Sequence, residues 1–261
     1  MKDYEYIYGP VPSWRLGNSL GIDPLSGKVK ICTFDCVYCQ LGKTKIFTKK
    51  RKTFVPTAKI IEEIDSLPSL KIDYITFSGI GEPTLAKNLG QMIKAVKKIR
   101  DEKIAVLTNS SLMDRRDVRR DLLLADFVVA KLDACSQDTF AKVNRPMRTM
   151  KFNAILKAIR RFKGEYKGRL ALQIMFIRGN KKYAREIARI AKEVHPDEVQ
   201  INTPLRPCGV KPLSKEDLNK IKRCFTDECG RGIKIISVYD SKKKKVKPIS
   251  KGETLRRRGK I

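Results

Sequence analysis

Apolar runs of strand length alternate with stretches of helical period along nearly the whole chain, and this alternation constrains the fold more than any other feature. Strand-like runs fall at residues 19–23, 73–78, 104–108, 127–132, 170–177, 199–203 and 233–239. Helical stripes lie between them. Ile60, Ile61, Ile64 and Leu67 share one face, as do Leu89, Met92, Ile93, Val96 and Ile99, and later Phe152, Ile155, Leu156, Ile159 and Phe162. Residues 114–124 read as a helix with Asp114 as its N-cap, and residues 183–194 and 215–225 as two more. The strands are near-continuously apolar, as when both faces of a sheet are covered. Repeated strand–helix units of roughly 25–40 residues imply a parallel sheet with crossover helices. Their number exceeds a minimal open sheet and falls short of an eight-unit barrel. The expected class is therefore α/β, either an incomplete barrel or an open sheet.

Composition then narrows the class. The chain has 261 residues, with 57 Lys plus Arg against 28 Asp plus Glu, a net charge of +29. With 41% hydrophobic residues it still has the apolar material for a core. No apolar stretch approaches the ~18–20 residues of a membrane span. The first residues, MKDYEYIYGPVPSW, contain no apolar signal core. The expectation is a cytoplasmic protein with no membrane association. A surplus of positive charge predicts attraction to polyanions, whereas a merely lysine-rich soluble surface would give the same count.

The seven cysteines are odd in number, and three crowd into ICTFDCVYCQLG as Cys32, Cys36 and Cys39, spaced C-x3-C-x2-C. This reads as metal or redox chemistry in place of a disulfide framework. Thiolate sets favour zinc or iron–sulfur, and structural zinc would want a fourth ligand nearby. The sole histidine, His195, lies far away in sequence and before Pro196, where it suits a helix C-terminus. Three thiolates without a fourth partner suggest a cluster with one open position.

This segment, with Tyr38 before its last cysteine, resembles the signature of the radical S-adenosylmethionine (SAM) superfamily. The resemblance implies a partial (β/α)6 TIM-like barrel and a [4Fe-4S] cluster whose three cysteine ligands are Cys32, Cys36 and Cys39. It implies SAM on the open iron, reductive cleavage to a 5′-deoxyadenosyl radical, and an electron donor such as ferredoxin or flavodoxin. FSGIGEPTL resembles the family's glycine–glutamate–proline loop, which implies that Gly81, Glu82 and Pro83 meet the amino group of SAM. Asn109 and Ser110, ending the third strand, are candidates for ribose or carboxylate contact, with helix capping as the alternative. VVAKLDACS resembles the fourth strand end of the molybdenum-cofactor-type enzymes. There Lys131 departs from the family's polar residue and Asp133 matches better. IMFIRGN offers Arg178 or Asn180 for the adenine side. YGPVPSWRLGNSLGID and INTPLRPCGVKPL resemble an uncharacterised Fe–S oxidoreductase subgroup distantly related to wyosine synthase. Arg15, Gly17, Ser19 and Asp23 fit its pattern, whereas Trp14 and Cys208 depart from it.

The expected organisation is a core over residues 1–240, with residues 1–18 as an extension packed on it, and a basic tail over 241–261 that lies outside the core. Cys135, Cys208, Cys224 and Cys229 remain. The last three are either a second cluster's ligands or reduced thiols. Cys224 shares an apolar helix face with Leu218, Ile221 and Phe225, which suits a thiol. Basic residues concentrate from Lys43 to Lys52, from Arg115 to Arg120 and in the tail. Phe47 and Phe54 flank the first run and suit base stacking. A nucleotide in RNA, tRNA above all, is the substrate that charge favours. A radical enzyme acting on a protein or peptide, and a non-catalytic metal-cluster module binding nucleic acid, are the alternatives. The oligomeric state is not legible.

Overall fold

The structure, a computed structural model, describes residues 4–240 and 246–258. Its frame is one sheet of eight strands: β1 (Ile7–Ser13), β2 (Gly17–Ile22), β5 (Tyr74–Phe77), β6 (Lys103–Thr108), β7 (Phe127–Lys131), β8 (Arg169–Met175), β9 (Glu198–Asn202) and β10 (Lys234–Ser237). Their order in space is their order in sequence. All neighbours from β2 to β10 pair in parallel, and β1 joins antiparallel to β2. Such an order with crossover helices curls the sheet into an open half-barrel, with β1 and β10 as its free edges. Two short strands, β3 (Ile31–Cys32) and β4 (Ile46–Phe47), pair apart from the sheet.

The helices cover the sheet with the faces that the sequence pattern marks. α1 (Thr57–Asp65) buries Ile60 and Ile64, and α2 (Leu89–Ile99) buries Leu89, Met92, Ile93 and Val96. Ile99, expected in that stripe, is 40% exposed because it closes the helix at the surface. α5 (Phe152–Glu165) and α6 (Ala184–Val194) fall where their periodicity puts them. α7 (Lys215–Cys229) starts on Ser214, whose hydroxyl accepts from the Asp217 amide at 3.1 Å. Cys229, not Cys224, is its buried thiol.

Four features differ from the sequence reading. β1 is a full strand despite Gly9, Pro10 and Pro12, because an edge strand leaves one side of its backbone without ladder partners. α3 (Arg116–Leu122) starts one residue later than expected, with Arg115, not Asp114, at its N-cap and without a side-chain bond. The Asp114 carbonyl instead receives the buried Arg119 guanidinium at 2.7 Å. α4 (Gln137–Asn144), capped by Ser136, is an extra helix between β7 and α5.

The fourth correction concerns the tail. Residues 246–258 do pack on the core, and α8 (Lys251–Arg256) lies against β1. Gly9 donates to Thr254 Oγ1 at 3.0 Å, and Ile249 donates to the Gly9 carbonyl at 2.6 Å. Arg257 is wholly buried on Asp23 at 3.1 Å. A charge count hides this, because a guanidinium can be buried once a carboxylate meets it. The Lys242 to Lys245 run lies outside the described residues. No helix among the described residues is long and apolar enough to cross a membrane.

Candidate active site

The cysteine loop leaves β2 and is pinned at its start to the loop after β5. The Ile31 amide donates to the Ile80 carbonyl at 3.4 Å, and the Glu82 amide donates to the Ile31 carbonyl at 3.1 Å. Gly81 sits at φ 143°, and a Cβ there would lie 1.9 Å from the Ile31 carbonyl oxygen. Glycine is thus required for the two loops to touch. Gly79, at φ 153°, is likewise closed against the Asp23 carboxylate. Asp23 accepts from the Ile80 amide and from Arg257, so α8 and the Gly81 loop share one buried anchor.

Glu82 turns inward. Its Oε1 accepts from the Thr84 and Thr108 hydroxyls, each at 2.6 Å, and its Oε2 from the Asn109 amide at 2.7 Å. Burial raises its pKa, opposed by these hydrogen bonds. Its carboxylate therefore fastens β6 to the loop, and Pro83 opens the short 3-10 turn that follows. After Thr108, Ser110 takes φ 69° and its hydroxyl bonds to the Lys131 carbonyl at 3.1 Å. This bend aims Asn109 Nδ2 at Thr33 Oγ1 (2.8 Å) and at Cys32 Sγ (3.5 Å). Neither residue caps a helix.

Asp133 holds the opposite wall. The Tyr38 hydroxyl, Asn144 Nδ2 (2.7 Å), the Met175 amide (2.7 Å) and Lys131 Nζ (3.2 Å) all converge on its buried carboxylate. Lys131 Nζ also lies 4.8 Å from the Tyr38 ring centroid. Asn180 spends its amide on the Asp133 and Met175 carbonyls and accepts from the Ile177 amide, so it is internal framework. Arg178 is exposed.

Asn144, at the end of the unforeseen α4, escaped the sequence reading. Its Nδ2 also lies 3.5 Å from Cys36 Sγ, and its Oδ1 is buried without a partner. Lys30 escaped it too. It is buried, and burial lowers its pKa, but the charges of Cys39, Cys32 and Cys36 outweigh that and the net shift is upward. A lysine two residues before a metal-type cysteine was the available signal. Burial pushes the Cys32 thiol up to about 12 and the Cys36 thiol up to about 11. Among the described residues no three His, Cys, Asp or Glu side chains converge on a single-ion site. Cys208 packs against the small cluster of Tyr38, Val143, Met175 and Ile177, whereas Cys229 points at the Ala188 carbonyl on α6.

The chain matches the radical SAM superfamily over residues 28–191. It is 41% identical over 211 residues to the UPF0026 protein slr1464 of Synechocystis sp., covering 80% of this chain and 78% of that one. It is 38% identical over 245 residues to the UPF0026 protein MJ1312 of Methanocaldococcus jannaschii, covering 89% and 75%. Among solved structures, TYW1 with a lysine-pyruvate adduct bound has the same fold, with a TM-score of 0.62 at 17% identity over 80% of this chain and 73% of that one. The matched stretch spans more than half the chain and contains the whole cysteine loop, so the chain belongs to the radical SAM superfamily of SAM-dependent iron–sulfur enzymes.

Proposed function

We propose that Cys32, Cys36 and Cys39 hold a [4Fe-4S] cluster at which SAM is cleaved reductively, and that the substrate is a nucleotide in RNA. The observation that carries the first part is the docking of the cysteine loop onto the Gly81 loop through the Ile31 and Glu82 backbone bonds.

The residues present fit the group. Buried thiols raised to about 12 and about 11 are uncharged by themselves, and cationic iron is what turns such thiols into thiolates. Lys30, buried, donates to the Gly42 carbonyl at 3.0 Å and pairs with Asp35 at 3.6 Å, inside the loop that carries the three cysteines. Asn144 Oδ1 is a buried acceptor without a partner, beside a water-sized cavity of about 10 Å³ that Asn109, Lys131 and Asp133 also line. When bound, the cluster and SAM together supply a 5′-deoxyadenosyl radical for hydrogen abstraction from the substrate.

The chain's own part is positional. Gly79 and Gly81 let the loop close against Asp23 and the Ile31 carbonyl, and Glu82 holds it to β6. Asn109 and Asn144 present amide donors to the Cys32 and Cys36 sulfurs, which favours the thiolate and tunes the metal they hold. Lys131, held over Tyr38 and paired with Asp133 at 3.2 Å, is assigned to the SAM carboxylate from its place at the end of β7. Arg178 is assigned to the adenine side from its place after β8.

Anaerobic enzyme reduced with dithionite should release 5′-deoxyadenosine from SAM, and a fully clustered sample that releases none refutes the reading. The RNA part rests on the +29 charge and on β4, where Ile46 and Phe47 stand 46% and 45% exposed among lysines. Binding of total tRNA should weaken steeply as salt rises, whereas absent or salt-insensitive binding at ~50 mM salt overturns the RNA assignment.

A further inference from the structure

Three arginines whose charges bear on one another have no carboxylate to meet them among the described residues, and one of them reaches the cysteine loop. Arg15 lies in the turn between β1 and β2, Arg206 in the loop after β9, and Arg258 just past α8. Arg206 Nη1 donates to Gln40 Oε1 at 3.0 Å, the residue next to Cys39, and reaches the Arg258 carbonyl at 3.5 Å. Since α8 packs on β1, this contact ties the β9 side of the open sheet to its β1 edge.

These half-buried arginines differ from the arginines that the fold buries. Arg51 meets Asp117 and Asp121, Arg119 meets Glu165, and Arg257 meets Asp23 and Glu253. Arg15 and Arg258 each keep a buried Nε with no partner, and neither of them nor Arg206 forms an ion pair among the described residues. Arg15 feels the charge of Glu198, but that carboxylate is taken by Arg169 at 2.6 Å and by Gln200 Nε2 at 2.8 Å. Burial lowers Arg15 to about 10 with help from the charge of Arg206, and lowers Arg206 to about 10 with help from that of Arg258. Like charges brought together while losing water are unfavourable unless an anion joins them.

We propose that Arg15, Arg206 and Arg258 form a binding site for a phosphate group of the substrate. Guanidinium forks match phosphate oxygens in pairs, and a dianion balances more of this charge than a carboxylate does. Tyr8 lies within the field of Arg206 and Arg258, and its hydroxyl bonds Ser78, at the start of the Gly81 loop, at 2.6 Å. A phosphate held here is thus coupled through one side chain to the loop that faces the cofactor. The word substrate rests on the enzyme reading above; the anion site rests on the arginines.

Inorganic phosphate titrated into the cluster-loaded full chain, at ionic strength held constant with chloride, should raise the Tm saturably. Arg206→Gln should weaken phosphate roughly tenfold or more, while the phosphate-free Tm stays level or rises because repulsion is relieved. Arg223→Gln, which removes an exposed arginine on α7, should leave phosphate binding intact. No saturable shift in the wild type, a stronger shift with acetate than with phosphate, or equal losses from both variants would overturn the site. Displacement of phosphate by a nucleoside 5′-monophosphate would uphold it with a free nucleotide as the source, and displacement only by a short oligoribonucleotide would uphold it with a polynucleotide. Phosphate binding by a chain that releases no 5′-deoxyadenosine would leave the site standing and remove the enzyme reading; release without phosphate binding would do the reverse.

Discussion

Around Asp133 a buried carboxylate gathers four donors from Tyr38, Asn144, Lys131 and the Met175 amide. Around Arg206, guanidinium groups meet a glutamine and a backbone carbonyl and repel one another. Both regions border the same cysteine loop, through Tyr38 and through Gln40. The first has its carboxylate fully paired, with only Asn144 Oδ1 left without a partner. The second has a surplus that only a ligand removes. Pre-organisation thus belongs to the first wall and unmet charge to the second, which is the contrast that the two proposals rest on.

The largest expected effect breaks the chemistry on the finished side. Cys36→Ala should abolish both cluster absorbance after reconstitution and 5′-deoxyadenosine release, while circular dichroism keeps its α/β signature. Retained cleavage would overturn the assignment of this ligand. The phosphate-induced Tm shift of the cluster-free variant should persist, because no arginine in that site bonds Cys36.

How much of this was legible follows from what each signal is made of. The parallel sheet and the cysteine loop were legible because period and spacing are local, and both survive in a string of letters. The Asp133 wall was half legible. Asp133 and Lys131 lie at a strand end, but Asn144 arrives from α4, whose short run between Ser136 and Arg145 gives a weak stripe. The arginine site was not legible. Arg15 and Arg206 lie in the two segments that resemble the Fe–S oxidoreductase subgroup, but residues 15, 206 and 258 are distant in sequence and nothing in it brings them together. Only the unpartnered Nε atoms of Arg15 and Arg258 and the lack of ion pairs among the described residues single them out. The tail misled for the same reason, since Arg257 looks like its neighbours until Asp23 is seen beneath it.

Asp133→Ala tests the backing directly. It leaves Lys131 and the Tyr38 hydroxyl without their acceptor in a buried setting, and should cost about 3 kcal/mol or more in urea unfolding. A loss under about 1 kcal/mol would mean that the wall is less integral than its hydrogen bonds suggest. Glu82→Gln is smaller, about 2 kcal/mol, because the new amide faces the Asn109 donor. That cost carries a pH signature. Burial raises the folded pKa of Glu82 above its ordinary 4.5. Its stabilising contribution is therefore full below about pH 4.5 and declines as pH rises through the folded value. The variant has no such titration, so its deficit relative to wild type should narrow from pH 4.5 to pH 7. A widening deficit would show that the folded pKa is depressed instead.

The smallest effect comes from two residues that the IMFIRGN segment puts side by side. Asn180 is wholly internal, bonding the Asp133 and Met175 carbonyls and the Ile177 amide. Asn180→Ala should destabilise by about 1–3 kcal/mol, with SAM affinity following stability only. Arg178 is exposed and forms no ion pair among the described residues. Arg178→Ala should therefore change stability by less than about 0.5 kcal/mol. If Arg178 contacts the adenine side, its loss must appear in SAM binding alone, measured by equilibrium dialysis on clustered enzyme. An unchanged SAM affinity would remove Arg178 from the site and leave the end of β8 a purely structural support for Asp133.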